Sequence, residues 1–325
     1  MLWVGVVSAA QQPVRIGYFA NITHAQALYG RSTGLYEKKL GSAVNWKVFN
    51  AGPSAMEALL AGALDICYVG PNPAVNAYLR TKGKSLRIIA GSASGGAALV
   101  VAPHEVIRSP QDFKGKRLAS PEFGNTQDIA LKSWLKEQML QPGRNVQVIP
   151  IKNPDILTLF KQQQIAGAWV PEPWLTRLVR EAQGQIYLDE RTLWEGGKFP
   201  TAIVVVRAEF LAANPEVVKR FLDGHVEATL AINKSLKTSA KVINDELSRA
   251  ARIALPQSVI DEALTRLTLT YDPSYPALLT MARRAAELGM LPDKPAAITE
   301  KLVGIIDALP LNGVLQSRKL KTIPQ

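Results

Sequence analysis

Residues 53–92, PSAMEALLAGALDICYVGPNPAVNAYLRTKGKSLRIIAGS, alternate between two patterns. PSAMEALLAG (53–62) and NPAVNAYLRTKG (72–83) place apolar residues at helical spacing. LDICYVG (64–70) and LRIIAGS (86–92) are short apolar runs of strand length. Short buried strands separated by amphipathic helices predict an α/β fold built on mainly parallel sheets. The pattern extends in both directions. Upstream, VRIGYF (14–19) reads as strand, HAQALYGRSTGLYEKKLG (24–41) as helix and VNWKVFN (44–50) as strand. Beyond SGGAALVVAP (94–103) the alternation restarts with KRLAS (116–120), TQDIALKSWLKEQML (126–140), VQVIPI (146–151), PDILTLFKQQQ (154–164) and AGAWV (166–170). A second α/β unit is therefore expected between about 100 and 200. TAIVVVRAEF (201–210) is one more apolar strand, and the remainder reads as helices. Residues 56–73 and 156–173 both run helix, turn, apolar strand, Pro-x-Pro. Similar α/β construction explains that echo without a duplication.

The chain has 325 residues, 47% hydrophobic and 20% charged, enough for a large core and about two domains. The formal charge is +11, but Lys and Arg are scattered, with no basic block, zinc-finger spacing or aromatic-and-basic stripe, so nucleic acid is not an expected partner. A basic exterior favours small anions modestly. The single cysteine, Cys67, lies in an apolar run and reads as a buried strand residue; no intramolecular disulfide is possible. Residues 1–13, MLWVGVVSAAQQP, resemble the tail of a secretory signal with cleavage near Ala10, although a basic leading segment is missing. His104 and His225 have no metal-ligand spacing, and neither a metal nor a cofactor is expected. No nucleophile elbow, Walker loop or dinucleotide fingerprint is present, so the residues do not point to an enzyme.

The chemistry-bearing residues cluster where strands hand over to helices. Thr23 with Gln26 and Ser54 with Glu57 fit capping boxes, Asn72 precedes Pro73, and Asn125 with Asp128 repeats the arrangement. Helix starts carry unsatisfied N–H groups and a partial positive charge, which can hold an oxyanion without a buried Lys or Arg. In open α/β sheets the loops past the strands' carboxyl ends meet in a crevice. Thr23, Ser54 and Asn72 follow strands of the first unit, and Asn125 and Thr126 occupy the matching place in the second. That points to a small polar ligand clamped between two lobes. His24 reads either as an anion donor or as a local packing group. Ser94-Gly95-Gly96 reads either as a ligand wall or as a bend between domains. Trp169 reads as a contact for an organic tail and Glu172 as a partner for an amine, with core packing and a rigid turn as the alternatives. Trp194, before the Gly-rich loop, reads as lining the hinge or the mouth.

RIGYFANITHAQALYG (15–30), residues 51–74, GSASGGAALVV (91–101), GNTQDIALKSWLK (124–136), AGAWVPEPW (166–174) and the ending ELGMLPDKP with LNGVL together resemble the periplasmic substrate-binding proteins of nitrate, sulfonate and taurine ABC importers. The resemblance covers residues 14–316. It implies a two-lobed periplasmic binding protein fold, with residues 14–98 and 201–325 in one lobe and 99–200 in the other. It implies ligand contacts at Asn21, Thr23, His24, Ser54, Asn72, Ser94, Asn125 and Thr126, and also at Trp169 and Glu172. It further implies a periplasmic or secreted location, a membrane permease as partner, hinge closure on a small anionic or zwitterionic solute, and no catalysis. An aliphatic sulfonate is the first expectation. Nitrate, taurine, bicarbonate and a thiamine precursor are the alternatives, and a sensor or an enzyme on the same fold is the rival class. One departure is local: Gly167 stands where the family often carries an Asp, which leaves Asp65 as the better match to that pattern.

Overall fold

The computed structural model describes residues 12–324. The expected signal remnant falls almost wholly outside the described residues. Eleven strands follow in chain order: β1 (Val14–Phe19), β2 (Val44–Phe49), β3 (Ile66–Val69), β4 (Leu86–Gly95), β5 (Ala97–Val101), β6 (Arg117–Ser120), β7 (Gln147–Pro150), β8 (Gly167–Pro171), β9 (Gln185–Asp189), β10 (Pro200–Arg207) and β11 (Leu267–Leu269). They form two sheets, ordered β11-β4-β10-β3-β1-β2 and β7-β6-β8-β5-β9. The sheets are mixed: four strands of each point the same way, with β10 and β11 against them in the first and β5 in the second. Each has a parallel trio, β2-β1-β3 or β7-β6-β8, and antiparallel pairs elsewhere. The cause is the chain path: β10 returns from the second lobe and inserts between β3 and β4, antiparallel to both. The two echoing sequence segments supply β3 and β8, which hold equivalent places in their trios.

Period-two alternation divides each sheet between two cores. In the first, Ile16, Tyr18, Ile66, Tyr68, Val204 and Val206 pack on one face. Cys67, Val69, Ile203 and Val205 pack on the other. In the second, Ala98, Val100, Ala168 and Val170 oppose Leu99, Val101 and Trp169. Both faces are covered by helices, which is why the strands read as continuous apolar runs.

The chain passes between lobes at Gly95-Gly96 and again ahead of β10. Both glycines adopt left-handed φ, +78° and +72°. A Cβ on Gly96 would lie 2.1 Å from Leu267 Cδ2. Ser94-Gly95-Gly96 is thus the bend between lobes, where only glycine fits. The crossings are laced together: Gly95 N–H donates to Phe199 O (3.2 Å), Phe199 N–H to Ser94 Oγ (3.2 Å) and the Thr201 hydroxyl to Gly95 O. No helix among the described residues is long and apolar enough to cross a membrane.

Candidate functional site

A cavity lies between the lobes, past the carboxyl ends of β1 and β3 on one side and β6 and β8 on the other. Phe19, Gly70, Pro121 and Pro171 mark those ends. It measures about 20 Å³, little more than one water site, so the lobes stand nearly shut. Five helix starts converge on it. The turn Ile22–His24, which runs on into Ala25–Thr33, brings Asn21, Thr23 and His24. The helix Gly52–Leu60 brings Ala51 and Gly52, and the helix Pro71–Arg80 brings Gly70 and Pro73. The helix Thr126–Glu137 brings Asn125, Thr126 and Gln127, and Asn153–Lys161 brings Asn153. Their free N–H groups and dipoles make the cavity electropositive without a formal charge.

The polar side chains have a definite sign. His24 is buried and stacks on Phe19, with ring centroids 4.4 Å apart; its Nδ1 accepts the Phe19 N–H at 3.1 Å. The ring proton therefore sits on Nε2, which bonds to no described residue. Burial lowers the His24 pKa to about 3, so the ring is neutral. Asn125 caps its helix, Oδ1 accepting the Asp128 N–H at 2.8 Å. Asn21 Oδ1 accepts the Trp174 indole N–H at 2.9 Å, a bond from one lobe to the other. All three side chains use their acceptor on the protein and leave a donor. Thr126 Oγ1 and Asn153 Oδ1 are buried with no partner. Each belongs to a group free to turn a donor inward, the Thr126 hydroxyl and the Asn153 amide. A buried unsatisfied group costs about 1–3 kcal/mol, a cost that a ligand with acceptor atoms removes.

The lobes meet closely here. A Cβ built on Gly70 would lie 2.4 Å from Thr126 Oγ1 of the opposite lobe. Sequence reasoning missed Gly70, Gln127, Asn153 and Trp174. Asn153 had a visible signal, an Asn-Pro at the start of an apolar helix pattern after a strand. The others depend on which faces of the lobes meet.

The sequence profile described as "NMT1-like family" matches residues 8–244. This chain belongs to the NMT1-like family. Its similar proteins include the taurine-binding periplasmic protein of Escherichia coli (strain K12), 29% identical over 215 residues, which are 66% of this chain and 65% of that protein. Among solved structures, the alkanesulfonate-binding protein SsuA from Xanthomonas axonopodis pv. citri bound to MOPS is 20% identical. It aligns over 90% of this chain and 99% of that one with a TM-score of 0.74. The periplasmic nitrate-binding protein NrtA from Synechocystis PCC 6803 is 16% identical over 95% of this chain and 90% of that one, with a TM-score of 0.79. At those identities the likeness establishes the periplasmic binding protein fold.

In this NMT1-like chain five of the ten expected contacts, Asn21, Thr23, His24, Asn125 and Thr126, line the cavity. The other five lie elsewhere, each for a physical reason. Ser54 and Asn72 were expected as caps, but both helices start earlier. Ala51 caps Gly52–Leu60 and Gly70 caps Pro71–Arg80, because Pro53 and Pro71 supply the pre-set φ of a first turn. Ser54 then turns its hydroxyl to Ala51 O (3.1 Å), and Asn72 turns its amide to Met281 O (3.3 Å). Ser94 lies in the lobe crossing. Trp169 is fully buried in β8, the central strand of its sheet, and its indole donates to Glu190 at 2.7 Å. Glu172 is fully buried beside the crossing. It accepts from the Thr176 N–H (3.0 Å) and hydroxyl (2.9 Å) and from Arg266 of the other lobe (3.2 Å). Burial pushes its carboxyl up to about 7 against those donors. Trp194 also belongs to the crossing region, stacked on Phe199 with Arg284 over its ring at 4.7 Å.

Polar bridges between the lobes flank the cavity. On one side Arg266 and Arg180 converge on Glu262, at 2.7 and 2.6 Å, while Arg266 also reaches Glu172. On the other, Arg284 approaches Glu137 (3.7 Å) and Lys136 donates to Glu287 O (2.9 Å). Among the described residues no group of three His, Cys, Asp or Glu side chains could hold a metal ion.

Proposed function

We propose that this protein is the extracytoplasmic solute receptor of an ABC importer, and that it captures a small oxyanion, first among them a short aliphatic sulfonate, between its lobes. The observation that carries the reading is the convergence of five helix starts and several unpaired neutral donors on one interlobe cavity. An oxyanion there exchanges water for fixed N–H and O–H donors that need no reorganisation. The two crossing segments allow the lobes to part and close, and the closed complex presents both lobes to a membrane permease. The net charge of +11 draws anions toward the cleft. The taurine-binding relative, whose named ligand carries a sulfonate, supports the choice of head group.

The test is calorimetric titration of protein unfolded and refolded to remove any retained solute, against propane-1-sulfonate, nitrate, bicarbonate and an uncharged aminopyrimidine. Saturable binding of an anion is expected, with a stabilisation of about 2.7 kcal/mol at a hundred times Kd. Binding of the pyrimidine alone overturns the anion reading. Recovery of a chemically altered ligand overturns the receptor reading in favour of an enzyme.

A further inference from the structure

The cavity presents donors and no counter-charge, and this has a consequence for which sulfonate can enter. The groups lining it include Asn21, Thr23, His24, Asn125, Thr126 and Asn153, with glycine, alanine, proline and phenylalanine between them. No Asp or Glu lines it, and residues 1–11, MLWVGVVSAAQ, contain none that could add one. Glu172, the carboxylate best placed in sequence to meet an amine, is buried against Thr176 and Arg266. The acceptors of Asn21, His24 and Asn125 are engaged by donors of unambiguous identity: an indole N–H and two backbone N–H groups. His24 therefore has no acceptor left for the ligand, and the Asn21 and Asn125 oxygens are held toward the protein while their amide N–H groups are left over.

We infer that the cleft selects anions that carry no ammonium group, and so discriminates against taurine in favour of its uncharged-tail analogues. The inference rests on the proposed sulfonate reading and narrows it. An ammonium enclosed by the lobes would lose its hydration and find no carboxylate, only neutral groups such as the Asn153 amide to accept from it, with the positive helix ends adding repulsion. A methyl group in the same place loses nothing on dehydration. Propane-1-sulfonate is the matched probe, since it replaces the ammonium of taurine by a methyl of similar size.

Titration calorimetry on the stripped full chain is expected to show propane-1-sulfonate binding at least roughly 100-fold tighter than taurine, the ratio for about 2.7 kcal/mol. Equal affinities, or tighter taurine, overturn the inference and leave the sulfonate reading standing. Binding of nitrate or bicarbonate with neither sulfonate overturns the sulfonate reading and this inference with it, and leaves the anion reading standing. No binding of any anion overturns both. A second arm reverses the sign of one lining group. Asn21→Asp keeps the acceptor for Trp174 and adds a carboxylate to the cavity. It is expected to weaken propane-1-sulfonate by at least about tenfold and to narrow the ratio over taurine. A folded variant with an unchanged ratio overturns the inference, and the wild-type ratio remains a test if the variant does not fold.

Discussion

The cavity between the lobes and the contacts flanking it handle charge in opposite ways. On the flanks, Arg180, Arg266 and Arg284 reach Glu262, Glu172 and Glu137 across the lobe boundary. In the cavity, amides, hydroxyls and one neutral imidazole face the solute space. The difference follows from what happens when the lobes part. The partly exposed pairs Arg180–Glu262 and Arg284–Glu137 return their ions to water at little cost when they open, in the range of about 0–1 kcal/mol, while Glu172 is the buried member of the flank and keeps Thr176 of its own lobe as a partner. A cation buried on the cleft wall would be left without its counter-ion in every empty cycle, and an unpaired buried charge is expensive. Neutral donors at helix starts tolerate both states, because water replaces the solute as hydrogen-bond acceptor.

The sharpest way to break that arrangement is steric. Gly70 has φ −70° and ψ 151°, ordinary extended backbone that any residue adopts. A side chain there is compatible with its own lobe and collides with Thr126 across the cleft. Gly70→Val is expected to weaken solute binding by roughly 10- to 100-fold, the scale of about 1–3 kcal/mol for overpacking. Thermal stability without ligand should change little. Calorimetry beside a melting curve checks both, and undiminished affinity would mean that the lobes do not approach at Gly70 when the solute is held.

That contact also marks the limit of what the sequence discloses. Asn125 and its bond to Asp128 are legible because a cap is a local event, fixed by residues three apart. Asn21, Thr23 and His24 are legible because a strand hands over to a helix there. Ser54 and Asn72 mislead because the Gly-Pro pairs ahead of them begin their helices sooner, which moves both side chains into the first turn. Trp169 and Glu172 mislead for a tertiary reason. β8 is central and covered on both faces, so its tryptophan goes to the core, while Trp174, at the start of the next helix, is the one that reaches the opposite lobe. The pairing of Glu172 with Arg266 joins residues far apart in the chain, and no short-range pattern encodes it. Likewise, alternating helices and strands announce an α/β fold but do not tell that β10 comes back antiparallel between β3 and β4.

Charge on the flank offers a smaller effect with a distinctive pH signature. Glu172 has a folded pKa raised to about 7, chiefly by burial, with Thr176 and Arg266 opposing the rise. Arg266→Met removes one of those opposing groups and moves the carboxyl further up. A carboxyl raised above its unfolded value, about 4.5, contributes stability that is full below that value and lost as pH rises through the folded pKa. Wild type and variant should therefore melt at similar temperatures near pH 5. The variant should fall behind progressively above pH 7, by roughly 2 kcal/mol near pH 8.5, below the about 3–5 kcal/mol for breaking a fully buried pair because Arg266 keeps some exposure. A deficit that is constant across pH would mean that Arg266 acts through packing and not through the charge of Glu172.

The smallest expected effect is none at all, and it separates the two regions most cleanly. With its pKa lowered to about 3 by burial, His24 stays neutral from pH 5.5 to 8. The contribution of His24 to solute affinity should then be flat over that range while melting curves are not. For the fold, the same depressed value supplies stability that is present above about 6.5 and drains away as pH falls toward 3. Glu122 adjoins the cavity residue Pro121. Its carboxyl is pushed up first by burial and then by Glu57 of the facing lobe, with Lys152 pulling down. Protonating it would lessen repulsion toward an entering anion, so a rise in affinity on acidification can come from Glu122 as well as from His24 or from the Glu172–Arg266 bridge between the lobes. Glu122→Gln isolates the first of these. A rise that disappears in this variant belongs to the mouth of the cleft. A rise that persists in this variant and in Arg266→Met, and continues as pH falls toward 3, would mean that His24 becomes imidazolium when the solute arrives, and the cavity would then hold its anion with a formal charge instead of neutral donors.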